Sequence, residues 1–113
     1  MEFRRKDDRT GTLVLDGELT ILRAAELKAA LIEALGGNDR VEVDLSGLTE
    51  IDLSCLQVLC SAHQASVQAE KSLRLSQPCP AIFRQRLREA GLARDKGCPR
   101  DVQHTCVWVG GWI

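Results

Sequence analysis

The stretch Val41–Gln57 constrains the fold more than any other part of the chain. Apolar and charged residues alternate from Val41 to Leu45, which predicts a strand with one covered face and one wet face. A glycine-containing turn is predicted at Ser46–Leu48, and a polar stretch then opens a long apolar helix. This order places Ser54 at an exposed strand-to-helix corner. A serine there is either a plain helix cap or a switch residue.

Two residues compete to cap this helix, which we expect to run from about Ser54 to Ala69. Ser54 and Gln57 match the S-x-x-Q capping box, in which the serine side chain accepts a backbone hydrogen bond in the first turn. Asp52 is an alternative cap two residues earlier. Phosphorylation of a serine at this corner would add about −1.5 to −2 charge and could repel a docked partner. The residues alone leave both roles of Ser54 open.

Strands alternate with helices along the rest of the chain, which indicates an α/β fold. The one-sided alternation predicts helices packed mainly on one face of a sheet of about four or five strands. The other predicted elements are a strand at Thr12–Leu19 that ends at a glycine turn, a helix from Leu22 to Leu35 capped by Thr20, a strand at Ser72–Leu75, a helix after Pro80 that ends at Gly91, and an uncertain last strand at Thr105–Val109 after a loop.

Composition limits the possible classes of protein. The chain has 113 residues, of which 44% are hydrophobic and 27% charged, as expected for one soluble globular domain spanning residues 1–113. The net charge of −1 argues against a nucleic-acid binder. No apolar run is long enough to cross a bilayer, and the first residues lack the apolar core of a signal peptide. We therefore expect a cytoplasmic location and no membrane insertion.

No motif for catalysis or for metal binding is present. The five cysteines are irregularly spaced, without a C-x-x-C pair, and are expected to act as small buried hydrophobes rather than metal ligands. Phosphate-binding, dinucleotide-binding and nucleophile-elbow motifs are absent. His63 lies on the apolar stripe of its helix and is interpreted as a residue at the edge of the core. We expect no enzyme activity, no metal and no cofactor.

Two segments together resemble the STAS domain, the fold of bacterial anti-sigma factor antagonists. One is Val41–Leu59, which is similar to the family's strand, its aspartate-leucine-serine turn and its aspartate-serine-serine-glycine-leucine helix start. The other is Leu15–Leu19, which is similar to an early glycine-glutamate turn of the family. The resemblance covers about residues 10–92. It implies a small mixed sheet with helices largely on one side, and a non-enzymatic signalling protein.

The resemblance also implies a partner and a switch. The partner would be an anti-sigma factor that is itself a serine kinase, so that ATP would belong to the partner. Ser54 matches the phosphorylated serine, Asp52 the preceding aspartate, and Cys55 stands where the family has glycine. The implied partner-binding surface comprises two turns and the helix start: Asp16, Gly17, Glu18, Ser46, Gly47, Asp52, Leu53, Ser54, Cys55 and Gln57.

An alternative is an unswitched interaction subunit. The family also serves in chemotaxis, lipid-transport and stress-signalling complexes, in which some members are only scaffolds. Leu53 lacks the family's hydroxyl beside the phosphorylated serine, and Cys55 adds bulk where glycine would let a kinase approach closely. Both departures favour the alternative, in which Ser54 only caps its helix. The residues do not name the partner or the oligomeric state.

Overall fold

The computed structural model describes residues 1–92 of the chain. Four strands and three α-helices make up this part, together with a short 3-10 turn at Ile21–Arg23. In chain order the elements are β1 Glu2–Arg5, β2 Thr10–Leu19, α1 Ala24–Gly37, β3 Arg40–Ile51, α2 Leu53–Gln68, β4 Ser72–Leu75 and α3 Ala81–Glu89. The last predicted strand, at residues 105–109, lies outside the described residues.

The strands form one mixed sheet in the order β1-β2-β3-β4. Strand β1 pairs antiparallel with β2, whereas β2, β3 and β4 pair in parallel. This confirms the prediction of a small mixed α/β sheet. The sequence does not predict β1, because only Phe3 interrupts its charged residues and short charged segments rarely form strands. A short connection at residues 6–9 joins β1 to β2, which is its neighbour in the sheet.

One face of the sheet carries the core. Leu13 and Leu15 of β2, Val43 and Leu45 of β3, and Leu73 of β4 are almost fully buried in a single cluster. The helices cover this face with apolar residues that are also buried: Leu27 and Leu31 of α1, Leu56 and Leu59 of α2, and Phe83 and Leu87 of α3. The alternate strand positions are more exposed, among them Glu42 and Arg74. The prediction of helices on one face is therefore confirmed.

The two predicted glycine turns are strand irregularities instead. Strand β2 continues through Gly17 to Leu19, and β3 continues through Ser46–Leu48 to Ile51. The strands stay paired, with register shifts after Val14 and after Gly17. Gly17 has φ of +73°, a conformation that glycine adopts at little cost. A Cβ on Gly47 would lie 3.1 Å from that of Asp16. Pairing between β2 and β3 therefore keeps both segments extended, although their glycines locally favour a turn.

The starts of α1 and α2 also differ from the prediction. Thr20 makes no capping hydrogen bond through its side chain, and a 3-10 turn precedes α1 at Ala24. Helix α2 is capped by Asp52, whose carboxylate accepts from the backbone N–H of Cys55. Ser54 is already inside the helix, so the capping box prediction is wrong. Asp52 wins because its carboxylate also reaches a second backbone N–H, that of Ile21 in the preceding connection.

The backbone conformation of Glu70, at the end of α2, leads to a first prediction about stability. Glu70 has φ of +59° in a C-terminal motif where Glu70 N–H donates to Val67 and Lys71 N–H donates to Ser66. A left-handed conformation is strained for any residue with a Cβ. We therefore expect Glu70→Gly to raise the free energy of unfolding by about 0.5–1 kcal/mol, measured by urea denaturation. Gly91, which ends α3 at φ of +72°, provides the matched control, since Gly91→Ala is expected to destabilise.

Candidate functional site

The candidate site is the corner where β3 passes into α2. Strands β2 and β3 are parallel neighbours whose carboxyl ends meet at Leu19 and Ile51. The N–H of Asp52 donates to the carbonyl of Leu19 at 3.0 Å, which holds the start of α2 against the end of β2. In open α/β sheets, binding sites form at this edge, beyond the carboxyl ends of the strands.

Asp52 is the centre of the corner. Its Oδ1 accepts from Cys55 N–H at 3.1 Å and from the Ser54 hydroxyl at 2.6 Å, and its Oδ2 accepts from Ile21 N–H at 2.7 Å. Burial alone would raise the pKa of Asp52, but hydrogen bonds from Ser54, Cys55 and Ile21 together outweigh it, so the pKa lies below its ordinary value. At neutral pH the carboxylate is therefore charged, and it ties the segment before α1 to the start of α2.

Ser54 is the second residue of α2 and is half-buried. Its hydroxyl donates to Asp52 rather than accepting a backbone hydrogen bond, so it supports the cap without being the cap. Its neighbour Cys55 is fully buried, and its thiol donates to the carbonyl of Thr20 at 3.4 Å. Burial and the charge of Asp52 raise the pKa of the Cys55 thiol to about 11. The thiol is therefore protonated and unreactive at neutral pH.

Three exposed apolar side chains flank Asp52, and we call them the corner patch: Ile21, Leu22 and Leu53. Their exposed fractions are 70%, 91% and 50% respectively. Large apolar side chains grouped on a surface mark interaction sites more often than single ones do. Of these three residues, the sequence motif predicts only Leu53 as part of a site. The position of Leu22 indicates its exposure, because Leu22 falls outside the stripe of Leu27, Leu31 and Ala34 that α1 buries.

Most of the other predicted partner-binding residues lie on β2 and β3. Asp16 and Gly17 of β2 lie beside Gly47 and Leu48 of β3 in the paired strands. Arg23 supports this pair of irregularities, since its Nη1 donates to the carbonyls of Asp16 and Glu18 at 3.1 and 3.3 Å. The group lies about 13–17 Å from Asp52 along β3, at roughly 3.3 Å per residue.

Of the remaining predicted residues, Ser46 is exposed on β3 next to Gly47, and Gln57 is exposed one turn after Leu53 on α2. The structure thus gathers Asp52, Leu53, Ser54 and Cys55 at one corner. The predicted residues of β2 and β3 form a separate rim along the same edge of the sheet.

An ion-pair network fixes α3 beside the corner. Arg86 contacts Glu50 through two hydrogen bonds, at 2.6 and 2.8 Å, and Glu89 through a third at 2.7 Å. The hydrogen bonds from Arg86 lower the pKa of Glu50 to about 2. Glu50 precedes Ile51 at the end of β3, so this bidentate pair joins α3 to the strand that leads into the site.

This pair predicts a pH-dependent stability. The folded protein keeps Glu50 charged down to about pH 2, whereas the unfolded chain protonates it near its ordinary pKa of 4.5. The stabilisation is therefore complete above pH 4.5 and is lost as the pH falls to 2. Urea denaturation between pH 2 and 6 should show a stability difference between wild type and Glu50→Gln that shrinks toward pH 2. Glu42→Gln is the control, since Glu42 makes no ion pair among the described residues; an equal effect there would contradict the assignment.

Within residues 1–92, no group of three or more histidine, cysteine or acidic side chains is placed to hold a metal ion. No helix in this part of the chain is long and apolar enough to cross a membrane.

Comparison with known protein families decides the identity of the fold. The model of the family described as the Mlab, STAS domain matches residues 2–99. The chain belongs to the STAS domain family. A search among curated proteins found no match.

Solved structures agree on the STAS fold. The unphosphorylated anti-sigma factor antagonist SpoIIAA superposes with a TM-score of 0.65 at 17% identity, over 80% of each chain. The phosphorylated form of SpoIIAA, a Bacillus cell fate determinant, gives 0.62 at 18% identity, over 80% of this chain and 83% of that one. Part of Mglu gives 0.60 at 18% identity, over 68% of this chain and 19% of that one. The STAS fold is a regulatory protein-interaction fold that is not typically catalytic.

Proposed function

We propose that this STAS domain is a cytoplasmic signalling module that binds a serine-kinase-type anti-sigma factor through the corner at Asp52–Ser54, and that phosphorylation of Ser54 releases this partner. The observation that carries the proposal is the corner patch: exposed Leu53 precedes the half-buried Ser54 at the start of α2, and the exposed Ile21–Leu22 segment is joined to the same corner through Asp52. Similarity to SpoIIAA, an anti-sigma factor antagonist known in both phosphorylation states, supports the kind of partner.

The geometry explains why a phosphoryl group would act as a switch. The Ser54 hydroxyl now donates to Asp52, and a phosphorylated serine has no hydroxyl proton for this bond. The phosphoryl group would bring about −1.5 to −2 charge next to a charged carboxylate. The start of α2 tolerates an anion because of its free N–H groups and its dipole, so the fold survives. An apolar partner surface docked on Leu53 would instead have to bury that charge, which is costly.

Ser54→Glu and Ser54→Ala test the proposal against the purified serine-kinase anti-sigma factor of the host. With ATP present, phosphopeptide mass spectrometry should locate the phosphoryl group on Ser54, and Ser54→Ala should abolish it. Calorimetry should show affinity retained by Ser54→Ala and reduced at least about tenfold by Ser54→Glu, which is 1.4 kcal/mol or more. Gln68→Glu is the control, as it adds the same charge at the far end of α2, about 21 Å away along the helix.

A constitutive interaction subunit, as in chemotaxis or lipid-transport complexes, is the second candidate. The bond between Ser54 and Asp52 and the buried Cys55 side chain favour it, because both give Ser54 a structural role and restrict access for a kinase. In that case Ser54→Ala costs about 1 kcal/mol of stability, while Ser54→Glu and wild type bind the same partner equally. Absence of phosphate on Ser54 together with equal binding would replace the first proposal with this one.

A further inference from the structure

A second apolar surface begins at Ser54 and continues away from the corner patch. It is a groove between α1 and α2, which we call the helix groove, and its apolar lining includes Leu31, Ile32, Leu35 and Val58. Leu31 is buried and belongs to the core, whereas Ile32 on the rim is 62% exposed. Ile32 therefore extends the apolar surface of the groove, and a continuous exposed apolar surface is typical of an interaction site.

Among the described residues that line the helix groove, Lys28 alone is charged. Lysines on helix surfaces commonly pair with a carboxylate three or four residues away, but here those positions are Ala24, Ala25, Leu31 and Ile32. Within the described residues, Lys28 makes no hydrogen bond or ion pair. No carboxylate of residues 1–92 lines the groove. Lys28 is therefore a positive charge in an apolar groove without a negatively charged partner.

Lys28 and Ser54 lie toward the same end of the groove. Helices α1 and α2 each follow one of two parallel strands, so both begin at the same edge of the sheet. Lys28 is in the second turn of α1 and Ser54 in the first turn of α2, while Leu35 and Ala65 lie at the other end. At 1.5 Å per residue the lining spans about 10 Å on α1 and about 16 Å on α2, which suits two to three turns of a helix.

We propose that the helix groove binds an amphipathic helix of the partner protein, with apolar residues against Ile32 and Val58 and an aspartate or glutamate paired with Lys28. This is the helix-in-groove mode of recognition, in which apolar anchors supply affinity and a charge pair fixes the register. The inference rests on the proposed function in one respect, since the partner is the protein that Ser54 phosphorylation releases.

The position of Ser54 connects the groove to the switch. A phosphoryl group on Ser54 is repelled by Asp52, whose Oδ1 lies 2.6 Å from the Ser54 oxygen, and is attracted by the unpaired ammonium group of Lys28. It therefore competes with the partner's carboxylate for Lys28 and repels that carboxylate directly. Both effects weaken the docked helix without unfolding this domain.

Photo-crosslinking in host cells tests the occupant. A benzoylphenylalanine is introduced in turn at Ile32, at Leu22 in the corner patch, and at Glu33, an exposed neighbour of Ile32 outside the groove. We expect the same partner to crosslink at Ile32 and Leu22 but not at Glu33. Mass spectrometry of the Ile32 product should identify a partner segment with apolar residues at helical spacing and an acidic residue among them.

A charge exchange then tests the pairing. A synthetic peptide of the crosslinked segment should bind the wild-type domain, Lys28→Glu should weaken binding at least about tenfold, and a lysine in place of the peptide's acidic residue should restore it. Equal binding by wild type and Lys28→Glu overturns the pairing. A crosslink from Ile32 to a second copy of this chain, or to its own residues 93–113, overturns the proposed occupant. Crosslinking at Leu22 alone overturns the groove and leaves the corner function intact, whereas crosslinking at neither site contradicts both.

Discussion

Replacing Asp52 with alanine is expected to lower the free energy of unfolding by about 2–3 kcal/mol. The carboxylate caps α2, accepts the Ser54 hydroxyl and holds Ile21 N–H. Loss of a helix cap alone costs about 1 kcal/mol, and hydrogen bonds to a charged group contribute more than neutral ones. Urea denaturation followed by circular dichroism measures the change. Partner affinity should also fall in protein that remains folded, because Ile21 and Leu53 lose the group that joins them.

Asp52→Asn is the matched control. Its one side-chain oxygen can still cap α2 through Cys55, but it cannot also accept from Ile21 with a second oxygen. We expect a loss of about 1 kcal/mol, between wild type and Asp52→Ala. If Asp52→Ala costs under about 0.5 kcal/mol, Asp52 does not join the two segments, and the account of the corner is wrong.

Replacing Phe83 with alanine is expected to lower the free energy of unfolding by about 3–5 kcal/mol. Phe83 is fully buried in the core beneath α3. Since small domains are stable by only about 5–15 kcal/mol, this loss removes a large share of the total stability. Thermal denaturation and the midpoint in urea measure the loss.

Phe83→Leu tests whether the stability loss of Phe83→Ala comes from the cavity that alanine leaves. Leucine keeps most of the buried apolar volume, and substitutions of this kind usually cost under about 1.5 kcal/mol. Phe83→Ala should also reduce partner binding only in proportion to the unfolded fraction, because α3 meets the site through Arg86 and Glu50 rather than through Phe83. A loss of binding by fully folded Phe83→Leu would show that α3 contributes directly to the interface.

The fold was largely predictable from the sequence because its main signals are periodic. The alternation in Val41–Leu45 identified a central strand and its one-sided burial, and the stripe of Leu27 and Leu31 identified α1. Strand β1 was not predictable in this way, since its charged residues are exposed and its existence depends on pairing with β2. Its stability comes from hydrogen bonds to the next strand, which the pattern of its own four residues does not record.

The candidate site was predictable in position but not in detail. The motif placed Asp52, Leu53 and Ser54 at one corner, as found. It did not distinguish the cap, because the deciding contact joins Asp52 to Ile21, 31 residues away. The glycines at 17 and 47 were read as turns because the opposing strand, which keeps both paired, is also distant in sequence. The degree to which Ile21 and Leu22 are exposed was not predictable from the sequence, because it depends on how the helices and strands pack together.

The amide of Ile21 offers a direct reporter of the site. Its side chain is one of the most exposed large apolar side chains in residues 1–92, yet its N–H is held by Asp52. Exchange of that hydrogen with deuterium requires the corner to open. Its protection factor therefore measures the opening equilibrium of the corner at a single amide. Modification of Ser54 or arrival of a partner would change that rate even where the average structure stays the same.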